Sequence, residues 1–329
     1  MREAGCGPSG DRIQPVIINM EHDIRAERDR TAMKRKKRSD LKESAVKAFF
    51  FASGITAVLV LVGIFLTLVT TAVPAFREIR IAEFLGSSRW DPTSPEKAEY
   101  GLLAMIVSTL MVTAGALVLA VPVGIGVAAY LSDVAHWRVR EVLKPVVEIL
   151  AGIPSVVVGF LGVVLFGPAL AKLFHTGNGL NALNGSILLA IMALPTIISI
   201  SEDSLNAVPR AYTEASLALG ASRWQTLLRV KLPAGLSGII AAVMLGMGRA
   251  IGETMTVLMA TGNARSFPNG FFDAVRTMTA NIAIELGEVP YYTTHYYALF
   301  AIGLVLFVMT FAVNLVADLV LHKYQEREQ

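Results

Sequence analysis

Charged residues and cysteine are both scarce in this sequence. Only 17% of its 329 residues are charged and 54% are hydrophobic, and the mean hydropathy is +0.56. An ordinary soluble domain has about a quarter of its residues charged, so this composition indicates a membrane protein. Cys6 is the single cysteine, which excludes an intrachain disulfide and a cysteine metal cluster.

Histidine is also scarce, and no nucleotide-binding motif is present. The five histidines are scattered and include no pair at metal-ligand spacing. Ser237 lies in a Gly-x-Ser-Gly sequence typical of intramembrane serine proteases, but no histidine base stands at membrane depth, so we interpret it as a helix-start residue. The Gly-x-x-x-x-Gly-Lys loop that holds ATP phosphates is missing. We therefore predict no catalytic residue, no metal and no cofactor in this chain.

Long uncharged stretches dominate the sequence instead. Each is long enough for the ~20 apolar residues that a membrane-spanning helix needs, and none alternates as a barrel strand does. The six stretches are 48–76, 100–132, 149–171, 173–201, 232–264 and 296–317, the fifth interrupted only by Arg249 and Glu253. Lipid tails cannot form hydrogen bonds with unpaired backbone N–H and C=O groups. The sequence therefore predicts an all-α integral membrane protein with six transmembrane helices.

Basic residues near the helix ends predict the orientation. Seven Lys and Arg residues lie between positions 34 and 47, just before the first span, which places the N-terminus, and after six spans the C-terminus, in the cytoplasm. Loop 77–97 is then outside despite four basic residues. We expect residues 1–45 to be a disordered, basic cytoplasmic tail that determines the topology and can touch anionic lipid, not one that binds nucleic acid. Residues 46–329 are expected to form the transmembrane domain.

Residues 205–233 have the pattern of two short helices joined by a turn. Pro209 begins the first helix, Gly220 ends it, and Ser222 followed by Gln225 forms a capping box for the second. The segment carries more apolar residues than a connector needs. It predicts a helical hairpin that binds a partner in a groove, and an ordinary amphipathic connector is the alternative.

This hairpin resembles the EAA loop of bacterial ABC-importer permeases. The matching residues are Glu214, Ala215, Ser216, Gly220, Val230, Leu232 and Pro233. Ser216 replaces the family's second alanine and Val230 its usual isoleucine. The resemblance implies a type I ABC-importer permease (MetI-like) fold, in which this loop docks on a separate cytoplasmic ATPase and transmits its motion.

The fifth span carries a charged pair. If one helix runs from about residue 235 to 261, Arg249 lies near mid-depth, where an unpaired charge costs at least ~2.5 kcal/mol. Glu253 would follow one turn later on the same face and partly neutralise it, leaving donors for an oxyanion. The alternative is a pair that only locks helices together. Gly248 and Gly252 form a small-xxx-small face, which favours close helix packing.

Residues 246–254 resemble the Gly-Arg-Ala-Ile-Gly-Glu-Thr segment of phosphate permeases. Sulfate and molybdate permeases look similar but usually have phenylalanine where this sequence has Thr254. Segments 152–157, 194–203 and 298–304 are also similar to the PstC-type subunit, more than to its PstA-type sister. The resemblance implies a substrate pathway that includes Arg249, Glu253 and Thr254. Ser155 and Thr196, beside prolines, would add hydroxyls to it or bond back to freed carbonyls.

By this resemblance the chain would be a permease subunit, not an enzyme, of an ATP-driven importer in the bacterial plasma membrane. Its partners would be one PstA-type sister permease, two ATPase subunits and an extracytoplasmic phosphate-binding protein. Residues 265–295, with an apolar pattern at Phe271, Phe272, Val275 and Met278, would meet that protein or pack at the interface. Import of another tetrahedral oxyanion and an ion-coupled secondary anion carrier remain the alternatives.

Overall fold

The computed structural model describes residues 46–95 and 97–325. The chain forms two compact units, and the boundary between them lies between Leu66 and Thr67. The sites described below lie in the second unit. The predicted basic tail, residues 1–45, lies outside the described residues.

Most of the described residues are helical, and they include one two-stranded antiparallel sheet. The first elements are α1 (46–72), α2 (Ala75–Glu78), α3 (Ile81–Gly86), β1 (Trp90–Asp91), β2 (Glu99–Tyr100), α4 (Leu103–Ala129), α5 (Trp137–Ala151), α6 (Ser155–Leu161) and α7 (Gly167–Phe174). The remaining elements are α8 (Ala182–Ala207), α9 (Arg210–Ala218), α10 (Arg223–Thr226), α11 (Leu232–Ala234), α12 (Leu236–Gly252), α13 (Met255–Ala260), α14 (Met278–Glu285) and α15 (Thr294–Gln325). Three π-helical turns follow α4, α6 and α10: Tyr130–Val134, Gly162–Phe166 and Leu227–Lys231.

The described residues contain five helical segments long and apolar enough to cross a membrane. A sixth candidate joins Arg223–Ala234 to Leu236–Gly252 through a bend of 69°. Helices satisfy their own backbone groups in lipid, so apolar runs of this length fold in this way. The prediction of an all-α membrane protein is confirmed. Its six transmembrane segments are found when the bent pair is counted as one span.

Two predicted spans have wrong boundaries. Ile149 belongs to α5, and the third span starts after Pro154, which precedes α6 with an extended backbone, because proline disfavours a helical residue before it. Leu173 belongs to α7, which ends at His175 with φ +54°. α8 begins after Asn181, whose side chain accepts a hydrogen bond from a first-turn N–H. The turns between these helices carry no charged residue. An uncharged stretch of sequence therefore ran across each turn and did not show where one helix ends and the next begins.

The centre of the second unit is formed by α4, α8 and α12. Ala116 of α4 and Ala193 of α8 lie in one buried cluster with Ile197. Ile197 also fits against two glycines, since a Cβ atom would lie 2.7 Å from its side chain at Gly124 and 2.8 Å at Gly246. Small residues at these contacts allow apolar helices to approach closely without a hydrophobic driving force between them.

A second apolar cluster lies at the N-terminal end of α4. It contains Phe84, Trp90, Leu102, Met278 and Leu299, contributed by α3, β1, α14, α15 and the start of α4. The two strands pair with Trp90 opposite Tyr100. Because α4 has 27 residues, this cluster is separated by about 40 Å from the π-helical turn at its other end. The second unit therefore has two polar ends joined by long helices.

The fifth span is broken. α12 ends at Gly252, Glu253 is extended with φ −69° and ψ 133°, and α13 begins at Met255. The prediction of one helix over about 235–261 is wrong for this reason. Arg249 lies in the last turn of α12, next to the break, and not in the middle of a continuous helix.

Candidate coupling and translocation sites

The hairpin formed by α9, α10 and α11, residues 210–234, begins with a helix that glycine ends. Gly220 has φ +86°, a left-handed conformation that a side chain would strain. Its N–H donates to Leu217 O at 2.9 Å, and the N–H of Ala221 donates to Ser216 O at 3.2 Å. These two hydrogen bonds define a Schellman ending, so the predicted stop at Gly220 is confirmed.

The predicted capping box is present at the start of α10. Ser222 Oγ accepts from Gln225 N at 3.2 Å, and Gln225 Oε1 accepts from Ser222 N at 2.9 Å. Ser216 Oγ lies 3.0 Å from Thr226 Oγ1 and joins α9 to the segment after the turn. The residue that replaces the family's alanine therefore stabilises the hairpin directly.

The hairpin exposes an apolar surface. Its exposed fractions are 91% at Leu219, 63% at Trp224, 55% at Tyr212 and 45% at Leu228. Glu214, Ala215 and Pro233 are also exposed, whereas Leu232 is half-buried. Leu227, another apolar residue of the hairpin, turns inward and is only 3% exposed. Side chains as large as Trp224 and Leu219 in open solvent are typical of a docking surface.

A polar cluster ties this hairpin to the membrane helices. We name the cluster formed by Ser132, Asp133, Asn206 and Lys231 the hairpin clasp. Lys231 Nζ donates to Asp133 Oδ1 at 2.6 Å and to Ser132 Oγ at 2.8 Å. Ser132 Oγ in turn donates to Asn206 Oδ1 at 3.2 Å. The end of α10 is thus linked to the ends of α4 and α8.

Glu202 extends the same network to α5. It is 1% exposed and pairs with Arg140, with Lys144 at 3.5 Å, and with Asn206 Nδ2 at 3.3 Å. A buried carboxylate with these partners is fully compensated, and loss of one partner would leave a costly buried charge. Sequence reasoning missed this role, although a carboxylate at the end of an apolar run was its signal.

At the break in the fifth span, the predicted ion pair is absent. Arg249 is exposed and makes no ion pair with Glu253 or any other described residue. Glu253 Oε1 instead accepts from Thr256 N at 3.3 Å, and its backbone carbonyl accepts from Thr279 Oγ1 at 2.9 Å. The extended conformation of Glu253 ends the helical spacing that would place the two charges on one face.

Ser155 and Thr196 differ in their relation to the break. Ser155 begins α6, and its backbone carbonyl accepts from Thr256 Oγ1 at 3.1 Å, so it lies beside the break. Thr196 is half-buried on α8 and has no hydrogen bond to the break residues within the described chain. Neither hydroxyl bonds back to a carbonyl of its own helix in the part of the chain that the structure describes.

A cavity of about 490 Å³ opens beside the break. Gly252 and Thr254 line it from the break, and Thr279 lines it from α14. A Cβ atom would meet nothing within 4 Å at Gly252 and only Asn314 Oδ1, at 3.9 Å, from Gly248. Among the described residues, the predicted packing is not made at Gly252, and Gly248 contacts only Asn314 of α15, whereas Gly246 allows the close approach to α8.

Residues 265–295 do not form the amphipathic helix that their apolar spacing suggests. The helix in this segment is α14. Phe271 and Phe272 are 40% and 47% exposed, and Val275 is fully buried through a bridge to Gly262 in which its N–H donates to Thr261 O. The hydrogen bond between two distant backbone positions overrides the helical period.

A buried carboxylate, which sequence reasoning missed, closes this segment. Glu285 is 5% exposed and accepts from Trp90 Nε1 at 2.9 Å, Arg265 at 3.2 Å and Arg276 at 3.1 Å, with His295 Nε2 at 2.8 Å. We name these five residues the Glu285 cluster. Burial alone would raise the pKa of Glu285, but the hydrogen bonds from His295 and Trp90 and the nearby positive charges hold it below its usual value.

Residues 120–326 match the family described as binding-protein-dependent transport system inner membrane component. The phosphate transport system permease protein PstC of Mesorhizobium japonicum is 33% identical, over 92% of this chain and 96% of its own length. PstC 1 of Mycobacterium tuberculosis is 35% identical over 82% and 91%. The probable ABC transporter permease YqgH of Bacillus subtilis is 42% identical over 70% and 74%.

Two solved structures share the fold. The inward-facing MetNI methionine ABC transporter has a TM-score of 0.53 at 18% identity, covering 68% of this chain and 95% of that one. An ABC transporter for import of the acidic polysaccharide alginate has a TM-score of 0.52 at 16% identity, covering 67% and 79%. The chain therefore belongs to the binding-protein-dependent ABC transport permeases, with the MetI-like fold. Within this family it is a multi-pass permease of the PstC type and not an enzyme.

Proposed function

We propose that this chain is one of two permease subunits of an ATP-driven importer that brings inorganic phosphate into a bacterial cell. The observation that carries the proposal is the α9–α11 hairpin, which exposes Leu219 and Trp224 on one side and is bonded through Lys231 to α4 on the other. A partner seated on the exposed side would move the membrane helices.

Several partners follow from this proposal. Two cytoplasmic ATPase subunits would bind the hairpins of this chain and of a PstA-type sister permease. An extracytoplasmic phosphate-binding protein would deliver the substrate at the end that carries the Glu285 cluster. Both termini would lie in the cytoplasm, with residues 1–45 as a basic tail and 46–329 as the transmembrane domain of a plasma-membrane protein.

Arg249 supports an anionic substrate. Its guanidinium is exposed and free of ion pairs among the described residues, in the last turn of α12 before the break. A charge at membrane depth must face protein or water, so this face would meet the sister permease across a hydrated pathway. A guanidinium binds tetrahedral oxyanions through two parallel hydrogen bonds. Glu253, Thr254 and Ser155 would complete this wall of the pathway, and Thr196 would add a hydroxyl to the pathway from α8.

Phosphate is preferred over other oxyanions because relatives named as phosphate permeases match 82–92% of the chain. Sulfate, molybdate and arsenate should be tested as competitors of radiolabelled phosphate uptake. We expect arsenate, which has the same charge and shape, to compete, and sulfate and molybdate to compete poorly. Preferential uptake of sulfate or molybdate would replace phosphate as the proposed substrate.

Reconstitution tests the energy source. Vesicles containing this chain with the sister permease, the ATPase and the binding protein should take up phosphate only when ATP is supplied to the ATPase side. A complex whose ATPase cannot hydrolyse ATP is the matched control and should be inactive. Uptake by this chain alone, driven by an ion gradient, would contradict the proposal and favour a secondary carrier.

A further inference from the structure

α14 has two faces with different chemistry. Four residues at helical spacing line the cavity beside the break: Thr279, Ile282, Ala283 and Leu286. Asn281 and Glu285, on the opposite face, are buried. The helix therefore separates the break cavity from the Glu285 cluster, and a displacement of α14 changes both.

The N-terminal end of α14 is bonded to the break itself. Thr279 Oγ1 donates to the backbone carbonyl of Glu253 at 2.9 Å. Thr109 Oγ1 of α4 accepts from Met278 N at 3.1 Å. Glu253 is the extended residue between α12 and α13, so the hydrogen bond from Thr279 fixes the distance between α14 and the broken span.

The C-terminal end of α14 is held by groups from outside the helix. Trp90 comes from β1, Arg265 and Arg276 from the loop after α13, and His295 from the first turn of α15. Arg276 Nε also donates to Asn263 O at 3.0 Å. A single buried carboxylate thus sets the position of α14 against three other segments, and its loss would leave Arg276 without its ion-pair partner.

One of these donors also lies at the molecular surface. The half-exposed Arg265 lines an open pocket of about 670 Å³, and the buried Trp90 forms part of the wall of that pocket. This pocket lies at the end where the proposed function places the binding protein. A protein seated there would contact Arg265, which pairs directly with Glu285, and would lie against the pocket wall that contains Trp90.

We propose that α14 is a movable wall of the translocation pathway and that Glu285 is the positioning residue that couples it to the outer surface pocket. The proposal rests on the proposed function for the existence of a pathway at the break. It identifies a route from the surface pocket through Trp90 and Arg265 to Glu285, and from α14 through Thr279 to the break. Coupled sites of this kind typically change each other's equilibrium by about 5–150-fold.

Accessibility of the cavity wall tests this route. The reporter is Ala283→Cys in a Cys6→Ser background, labelled in the full complex with a membrane-impermeant maleimide, with and without binding protein. We expect docking of the binding protein to change the labelling rate about tenfold. Glu285→Gln should reduce this change to less than about twofold while the binding protein still docks. An unchanged docking effect in Glu285→Gln would overturn the proposal.

Two further variants keep the test decisive. Glu288→Gln removes an exposed carboxylate of the same segment and should leave the docking effect intact. Trp90→Phe keeps an aromatic side chain but removes the N–H that donates to Glu285, so it should weaken the docking effect even if Glu285→Gln fails to assemble. If Trp90→Phe and Glu285→Gln both label as the parent does, Glu285 is only structural. A complex that shows the docking effect but takes up no phosphate would reject the substrate and leave this inference standing.

Discussion

The chemical role of Arg249 depends on the backbone conformation of the residues that follow it. In a continuous helix, Glu253 would lie one turn away and neutralise it. The break at Glu253 gives that carboxylate a different partner, Thr256 N, and leaves the guanidinium exposed. An exposed, unpaired guanidinium is available to an anion, whereas a paired one is less so.

The first prediction concerns the charge of Arg249. Arg249→Gln should lower phosphate uptake about 10- to 100-fold, because a hydrogen bond to a charged group is worth about 1.5–3 kcal/mol. Arg249→Lys keeps the charge but loses the two-pronged geometry, and should retain an intermediate rate. Initial rates of radiolabelled uptake at equal complex levels measure both.

Lys172→Gln, at an exposed position of α7, is the matched control for loss of a basic residue. We expect wild-type uptake from it. Wild-type uptake by Arg249→Gln would show that the guanidinium contacts no substrate.

Among the elements, the α9–α11 hairpin has the most complete local signals. Its glycine stop, capping box and terminal proline each act within one turn, so the residues determine them without help from the rest of the fold. The apolar surface that they present depends on the two short helices holding a fixed angle. The turn at Gly220 is the point on which that angle depends.

The second prediction concerns this turn. Gly220→Val should release the ATPase, because a β-branched residue at φ +86° is strained by more than the ~1–2 kcal/mol of an ordinary side chain. Gly220→Asn is the matched control, since asparagine tolerates the left-handed conformation. Co-purification of the ATPase with tagged permease measures the effect. Full retention with Gly220→Val would contradict the docking model.

The third prediction concerns the hairpin clasp. Lys231→Met should lower the free energy of unfolding by about 1 kcal/mol, because it leaves Asp133, whose side chain is 28% exposed, without its charged partner. The ATPase should still bind, since Leu219 and Trp224 are unaffected, but phosphate uptake per ATP hydrolysed should fall. The ratio of the two rates in reconstituted vesicles is the measurement.

A charge exchange separates the ion pair from the individual side chains. Lys231→Asp combined with Asp133→Lys should recover part of the uptake per ATP that either single change loses. If the double variant is no better than the worse single variant, the ion pair does not transmit the motion of the hairpin.

At the scale of the whole molecule, polar contacts occupy the two ends of the long helices. The hairpin clasp and Glu202 join α4, α5, α8 and α10 at one end, and the Glu285 cluster joins β1, α14 and α15 at the other. Between them α4, α8 and α12 pack through apolar and small residues, with hydrogen bonds such as the one from Ser186 Oγ to Val112 O. Under the proposed function, motion applied at either end would be carried by helices that these side chains anchor.

The fourth prediction is the pH dependence of the Glu285 cluster. Since the pKa of Glu285 is held below the ordinary value of about 4.3, the cluster stabilises the folded state at neutral pH. This contribution should disappear as pH falls from that value through the lower folded pKa. The groups that face Glu285 are Trp90, Arg265, Arg276 and His295.

Thermal unfolding in detergent measures this dependence. The difference in midpoint between the wild type and Glu285→Gln should be largest near neutral pH and shrink towards zero in acid. His295→Gln provides the matched background in which titration of the imidazole is removed. A difference that grows as the pH falls would contradict the assigned direction of the pKa shift.

By itself, the sequence determined the membrane class, the number of candidate spans and the hairpin. Each of these depends on signals that act locally: a run of apolar residues long enough for a bilayer, a glycine that alone fits a left-handed turn, and a cap three residues from its partner. Arg249 was recognisable from the sequence as a candidate functional residue for the same reason. A charged side chain inside a membrane-spanning apolar run carries a free-energy cost that local sequence alone reveals.

Only the tertiary structure decided the break at Glu253, the clasp at Lys231 and the cluster at Glu285. Each joins residues that are far apart in the chain, such as Trp90 to Glu285 or Asp133 to Lys231, and no local pattern specifies which distant group will compensate a buried charge. At the break, Thr279 Oγ1 donates to the carbonyl of Glu253. A carbonyl with no helical partner is stable in an apolar region only where another element supplies its hydrogen bond.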